Sequence, residues 1–172
     1  MFERCDGALP CGCACGGSKA HLSGPHHFIL DKGHTCERSW DALMKKHQWL
    51  IDLQPADNPY SFPRWGFECG LGWYFILDKA FEQYRVIYEA SGIYPIIDQI
   101  KEKFGTMRFY LSFRDSNVNQ DRDQWFNIAY LVSRNAEDKS ETACEKCGGR
   151  AKTHTDGWYV TLCNTHMEEE KK

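Results

Sequence analysis

The sequence predicts an α+β fold: three helices on a small antiparallel β-sheet, with a zinc-ribbon-like knuckle at the C-terminal end. Three observations carry this. Apolar residues recur at helical spacing in three separate stretches. One run, Met107, Phe109, Leu111 and Phe113, alternates strictly with Arg108, Tyr110, Ser112 and Arg114, which is the period-two pattern of a strand with one buried face. Cys144 and Cys147, then Cys163 and His166, read C-x2-C and C-x2-H with fifteen residues between the pairs. That spacing suits a tetrahedral zinc site.

The first helix begins at Ser39, a good N-cap, with Asp41 in the first turn and Trp40, Leu43, Met44, His47 and Ile51 along one stripe. His47 on that stripe reads as a packed or capped histidine rather than a ligand. Pro55, Pro59 and Pro63 then forbid regular structure, so 53–64 is a surface loop. Its aromatic residues and those just after it (Tyr60, Phe62, Trp65, Phe67) should tuck onto the core. Gly70, Leu71 and Gly72 break the chain before the longest helix, whose face is Trp73, Ile76, Leu77, Ala80, Tyr84, Ile87 and Tyr88, closed by Gly92. Two strands follow, 96–104 and 107–113, around Gly105, whose tolerance of positive φ fits a tight turn. A polar loop, 115–123, leads to a third helix reaching about Asn135, with Trp125, Ile128, Ala129, Val132 and Ala136 inward. A charged connector, 135–142, precedes the knuckle, and 168–172 is a solvated tail.

Within the knuckle, Gly148 and Gly149 relieve the backbone where two sulfurs curl around one metal. The insert 151–162 holds a turn signal, Asp156 and Gly157, and a strand over 158–162. Four protein ligands fill a tetrahedron and leave no position for water, so the zinc is expected to be structural. The segment 1–38 is different in kind. It contains Cys5, Cys11, Cys13, Cys15 and Cys36 with four histidines and little periodic apolar content. A second zinc drawn from Cys11, Cys13, Cys15, His34 and Cys36 is one reading, and a flexible arm with free thiols is the other. The metal reading expects two zinc ions per chain. The chain thus divides into an arm (1–38), an α+β core (39–135) and a zinc knuckle with its tail (136–172).

The Gly-Phe-Glu-Cys-Gly-x-Gly-Trp stretch at 66–73, the Lys-Glu-Lys-Phe-Gly-x-x-Arg-Phe-Tyr stretch at 101–110 and the Cys144–His166 ligand pattern together resemble a family of small, mostly uncharacterised proteins encoded by bacteriophages and prophages. The likeness spans about 64–166. The family carries an acidic residue where this chain has Leu71, and the Cys-rich arm is an addition to its pattern. If that acid serves a site, the site is altered here. The resemblance implies a phage-type protein of the host cytoplasm and supplies no activity.

A net charge of −3 argues against a general polyelectrolyte binder of nucleic acid. No apolar run reaches the ~20 residues of a membrane span, and the N-terminus lacks a secretory h-region. The odd count of nine cysteines favours reduced, metal-binding thiols over a disulfide scaffold. The leading expectation is therefore a zinc-stabilised interaction protein with a protein partner; inhibition of a host defence system is one such role. The alternative is a nucleic-acid-binding module. Charges in 144–172 cancel, but the hairpin 93–114 carries Lys101, Lys103, Arg108 and Arg114 against Asp98 and Glu102. With Tyr110 interleaved, its polar face could hold a phosphate or a single strand, although a solvated sheet face is the plainer reading. A third expectation, a metal-dependent nuclease using Asp98, Glu102 or His154, lacks an assembled set of base, nucleophile and metal. No catalytic residue is assigned.

Overall fold

A computed structural model describes residues 38–56, 62, 66–116, 121–155 and 157–170. The proposed second metal site (Cys11, Cys13, Cys15, His34, Cys36) lies outside these residues, as do Tyr60, Trp65 and Asp156.

The fold is α+β. Helices α1 (Trp40–Lys46) and α2 (Gln48–Asp52) lead to a short strand β1 (Phe67–Glu68) and a 3-10 turn (Leu71–Trp73) that runs into the long helix α3 (Tyr74–Ser91). The hairpin β2 (Ile93–Lys103) and β3 (Thr106–Asp115) follows, then α4 (Arg122–Ser140), the small hairpin β4 (Lys152–His154) and β5 (Val160–Leu162), and α5 (Asn164–Glu170). Helices α3 and α4 pack against each other and against the inner face of the β2–β3 hairpin.

The core is the fused apolar face of these elements. Trp73 from the 3-10 turn and Leu77, Phe81 and Tyr84 from α3 meet Ile97, Ile100 and Met107 from the hairpin, and all are essentially inaccessible to water. Full burial of one such side chain contributes about 1.5–3 kcal/mol. Phe109 and Phe113 face inward as the alternation predicts, and Leu111 packs at the margin. Gly92 takes the left-handed C-cap conformation at φ 77°, and its N–H donates to the Tyr88 carbonyl.

Several elements differ from expectation. The expected first helix is two helices, because the chain breaks at His47. Its N–H closes α1 on the Leu43 carbonyl, while its own carbonyl accepts from Leu50. The sheet is mixed rather than antiparallel, since β1 lies parallel to β2 with Phe67 opposite Ile100. Two residues are too short for any periodicity to register. Strand β2 starts at Ile93 instead of Ile96, and the Gln54 side chain mimics a neighbouring strand there. It donates to the Pro95 carbonyl and accepts from the Ile97 N–H. As expected of the loop's aromatic residues, Phe62 tucks onto the core: it is fully buried and meets Phe67 edge-on.

Helix α4 runs to Ser140, through most of the expected connector. The Ser140 and Glu137 side chains accept from the N–H groups of Met107 and Phe109, tying the last turns to β3. Ile128 is not on the inner face; Ser133 is. The expected tail is helical through Glu170. Among the described residues no helix is long and apolar enough to cross a membrane.

Candidate metal centre

Cys144, Cys147, Cys163 and His166 converge, with all four ligand atoms within 4.8 Å of one another. His166 Nδ1 is 3.4 Å from Cys144 Sγ and 3.2 Å from Cys163 Sγ, and Cys147 Sγ is 3.9 Å from Cys163 Sγ. Zinc bonds of about 2.3 Å to sulfur and 2.0–2.1 Å to nitrogen put tetrahedral neighbours roughly 3.5–3.8 Å apart. The observed separations bracket those edges, so the donor set and its spacing fit a four-coordinate metal.

The first pair sits on a tight turn. Gly148 donates to the Cys144 carbonyl at 2.7 Å, and Gly149 N–H points at Cys147 Sγ at 3.4 Å. Gly148 has φ 79°, the left-handed conformation that the spacing of two sulfurs and a glycine demands. The second pair is not a second turn of this kind. Cys163 precedes α5 and His166 lies in that helix's first turn, so β5 and α5 present them from a strand–helix junction. Its other ring nitrogen, Nε2, lies 3.8 Å from Glu169 Oε2. An outer carboxylate of this kind orients a ligating imidazole. Lys146 and Glu170 pair across the site and tie the turn to the end of α5.

The thiols titrate unevenly. Burial opposes ionisation of Cys144, but backbone N–H groups of Cys163, Cys147 and Lys146 outweigh it and hold the thiol below its ordinary value. At Cys147 burial, with the Cys144 sulfur alongside, pushes the thiol up to about 12. Three sulfurs this close cannot all be thiolates without a cation between them. A divalent metal held by this set would supply that charge.

The unit is seated on the core through glycine backbone. Gly72 N–H donates to the Glu145 carbonyl at 2.7 Å, Gly70 N–H to the Glu145 carboxylate at 2.9 Å, and Trp73 Nε1 to the Ala143 carbonyl at 2.8 Å. A Cβ on Gly72 would fall 2.1 Å from the Cys144 carbonyl oxygen, and one on Gly70 2.3 Å from that of Glu145. From the other side, a Cβ on Gly148 would fall 2.5 Å from the Gly72 carbonyl oxygen. The Gly70–Gly72 pair is therefore the surface on which the cysteine turn rests. Its sequence signal, two glycines beside a tryptophan, reads only as a helix breaker without the third dimension. Arg38 adds a contact from the N-terminal side. Its guanidinium donates to the Cys147 carbonyl at 3.3 Å and lies over the Phe75 ring.

The remaining candidates lie away from this cluster. Lys101, Lys103, Arg108, Tyr110 and Arg114 share the outer face of the β2–β3 hairpin, where Lys101 opposes Arg108 and Lys103 opposes Thr106. Lys101 Nζ sits 5.1 Å from the Tyr110 ring centroid. Asp98 is exposed at the β2 bulge, Glu102 accepts the Gly105 N–H, and His154 Nε2 is bonded to the Leu162 carbonyl. Among the described residues the only cluster able to hold a metal is the Cys3His set. His47 is buried and donates to Asp78 Oδ1 at 2.7 Å, with Lys46 on both Asp78 oxygens. Burial works against the charged Asp78, but the bonds from His47 and Lys46 outweigh it and hold its carboxyl below the ordinary value. Sequence reasoning missed Asp78 because an acid within a helix reads as surface. Cys69 stands outside the cluster, and burial, with Glu145, Glu102 and Glu68 nearby, pushes its thiol up to about 12.

No protein-family model matches the chain, and no curated protein or solved structure is significantly similar to it.

Proposed function

We propose that this chain is a zinc-stabilised interaction protein that binds a host or phage macromolecule, inhibition of a host defence system being one such role. The observation that carries the reading is the Cys144, Cys147, Cys163 and His166 set, four protein ligands at tetrahedral spacing. Zinc held this way has no open position and acts by holding the fold. The glycine seat supports the same reading, because it makes the metal unit part of the core's surface rather than a separate arm. Nucleic acid as the partner has a specific observation in its favour: cations and aromatic rings alternate on the outer face of the β2–β3 hairpin.

The test is metal analysis of the purified chain, paired with capture of partners on the immobilised protein from infected and uninfected host lysates. One tightly held zinc at the C-terminal unit and a retained macromolecule are expected. A folded, metal-free C-terminal unit, or a loaded chain that retains nothing, would sink the proposal.

A further inference from the structure

Resting on the interaction-module reading above, we infer that the tip of the β2–β3 hairpin and the metal-anchored β4–β5 turn together bind single-stranded nucleic acid, stacking bases on Phe104, Tyr159 and Trp158. Three independent observations point to this.

The first is exposure. Trp158 is 90% accessible and Phe104 62%, and Tyr159 is about half exposed. Large rings displayed in this way cost hydrophobic free energy in the isolated chain and mark a contact surface. Phe104 and Tyr159 form one patch, their ring centroids 6.0 Å apart, and Trp158 precedes Tyr159 in the same turn.

The second is backbone. Phe104 has φ 56°, the one non-glycine residue with positive φ among the described residues. A two-residue hairpin turn with both central residues left-handed favours asparagine, aspartate or glycine at the first of them. Phenylalanine there strains the backbone, and its ring recovers little burial in return. The fold does not require an aromatic at this position.

The third is charge. Lys103 Nζ lies 5.4 Å from the Phe104 centroid, and Lys101 lies over Tyr110 on the same outer face, with Arg108 directly across from Lys101. Of the acids nearby, Asp98 is exposed, Glu102 accepts the Gly105 N–H and Glu68 accepts from Gln99, so the hairpin's cations outnumber its acids only locally. Stacking rings flanked by cations that follow a phosphate backbone are the recognition chemistry of single strands. The negative net charge does not oppose it, because binding senses the local field within a Debye length. The two hairpins meet at the tip: a Cβ on Gly105 would fall 2.9 Å from Thr153 Cγ2.

The experiment titrates fluorescein-labelled (dT)20 and (U)20 with the full-length, zinc-loaded chain, reading anisotropy at low and moderate salt against a 20-base-pair duplex. Single strands are expected to bind more tightly than duplex, with affinity falling as salt rises, on the order of two to three in log–log slope for three or four phosphate contacts. Whichever oligonucleotide binds better tells DNA from RNA. Trp158→Ala should weaken binding by about tenfold or more with zinc content and melting unchanged. Phe104→Asn should weaken binding while leaving melting equal or higher, a separation that a merely structural residue would not give. Leu131→Ala, which removes an exposed apolar side chain on α4, should change nothing. No binding by a zinc-loaded chain, equal binding of duplex, or unaltered affinity in both aromatic variants overturns the inference. So does a protein partner whose retention depends on Trp158 when oligonucleotides do not bind. In each of these cases the proposed function stands, because it fails on different outcomes: a C-terminal unit that folds without metal, or a loaded chain that retains no macromolecule.

Discussion

The α+β core and the metal unit solve the same problem with different resources. The core buries a continuous cluster of aromatic and aliphatic side chains, among them Trp73, Phe81, Tyr84, Leu77 and Ile97. Its stability is spread over many contacts, and no single one holds the rest. The metal unit has almost no apolar interior: Leu162, with Cys144 and Cys147, makes up its buried cluster. A segment with so little to bury cannot offset its chain entropy by packing, so its cohesion would fall to a metal held by the Cys3His set and to the glycine seat. Loss of one group is therefore local in the core and total in the metal unit.

That contrast breaks most visibly at the ligands. Cys147→Ser should abolish tight zinc binding and unfold the C-terminal unit, a structural zinc being worth on the order of 10 kcal/mol in small zinc peptides. Zinc content and thermal melting read it, and a variant with full zinc and unchanged melting would show that Cys147 is no ligand.

The nearest equivalent in the core is the buried His47–Asp78 pair. Asp78→Ala should destabilise by about 3–5 kcal/mol, since it leaves the buried His47 and the Lys46 ammonium without their carboxylate. The pH dependence follows from the lowered Asp78 value. At acid pH the unfolded chain takes up the proton first, so the stabilisation is complete above the unfolded carboxyl value of about 3.9 and is lost as pH falls through the lower folded value. Denaturant melts across pH 2–6 should show a shallower acid limb for Asp78→Asn than for the parent. Identical limbs would remove Asp78 from the account.

The joint between the two regions is tested by Gly72→Ala, expected to cost ~3 kcal/mol or more, because its Cβ would overlap the Cys144 carbonyl at 2.1 Å. Gly66→Ala is the matched control. Gly66 has φ 69° but open space around its Cβ position, so only backbone strain of about 1–2 kcal/mol applies. Equal costs in chemical denaturation would mean that the seat does not bear on the knuckle. A smaller effect than at Gly72 is expected at the second joint. Gly105→Val combines φ 79° with a contact on Thr153 and should cost roughly 1–2 kcal/mol or somewhat more. An unchanged melting temperature would detach the two hairpins from each other.

Local chemistry was legible wherever one segment's own pattern dictates the outcome. The convergence of Cys144, Cys147, Cys163 and His166 read directly, because the coordination geometry of a metal fixes the spacing within each pair. Met107, Phe109, Leu111 and Phe113 declared a half-buried strand, and Ser39, Gly92 and Gly105 declared a cap, a stop and a turn, all through conformational preferences acting over a few residues. The tertiary structure decided what depends on distant partners. Strand β1 is a strand only because Ile100 lies beside Phe67, and α4 continues past Asn135 because Glu137 and Ser140 bond the β3 backbone. Asp78 is interior because His47 and Lys46 close over it. Gly70 and Gly72 look like a helix breaker in one dimension. They become the seat of the metal unit only when a carbonyl 73 residues along the chain, that of Glu145, accepts the Gly72 N–H, since a sequence records which side chain is missing and only the packed molecule records what occupies its place.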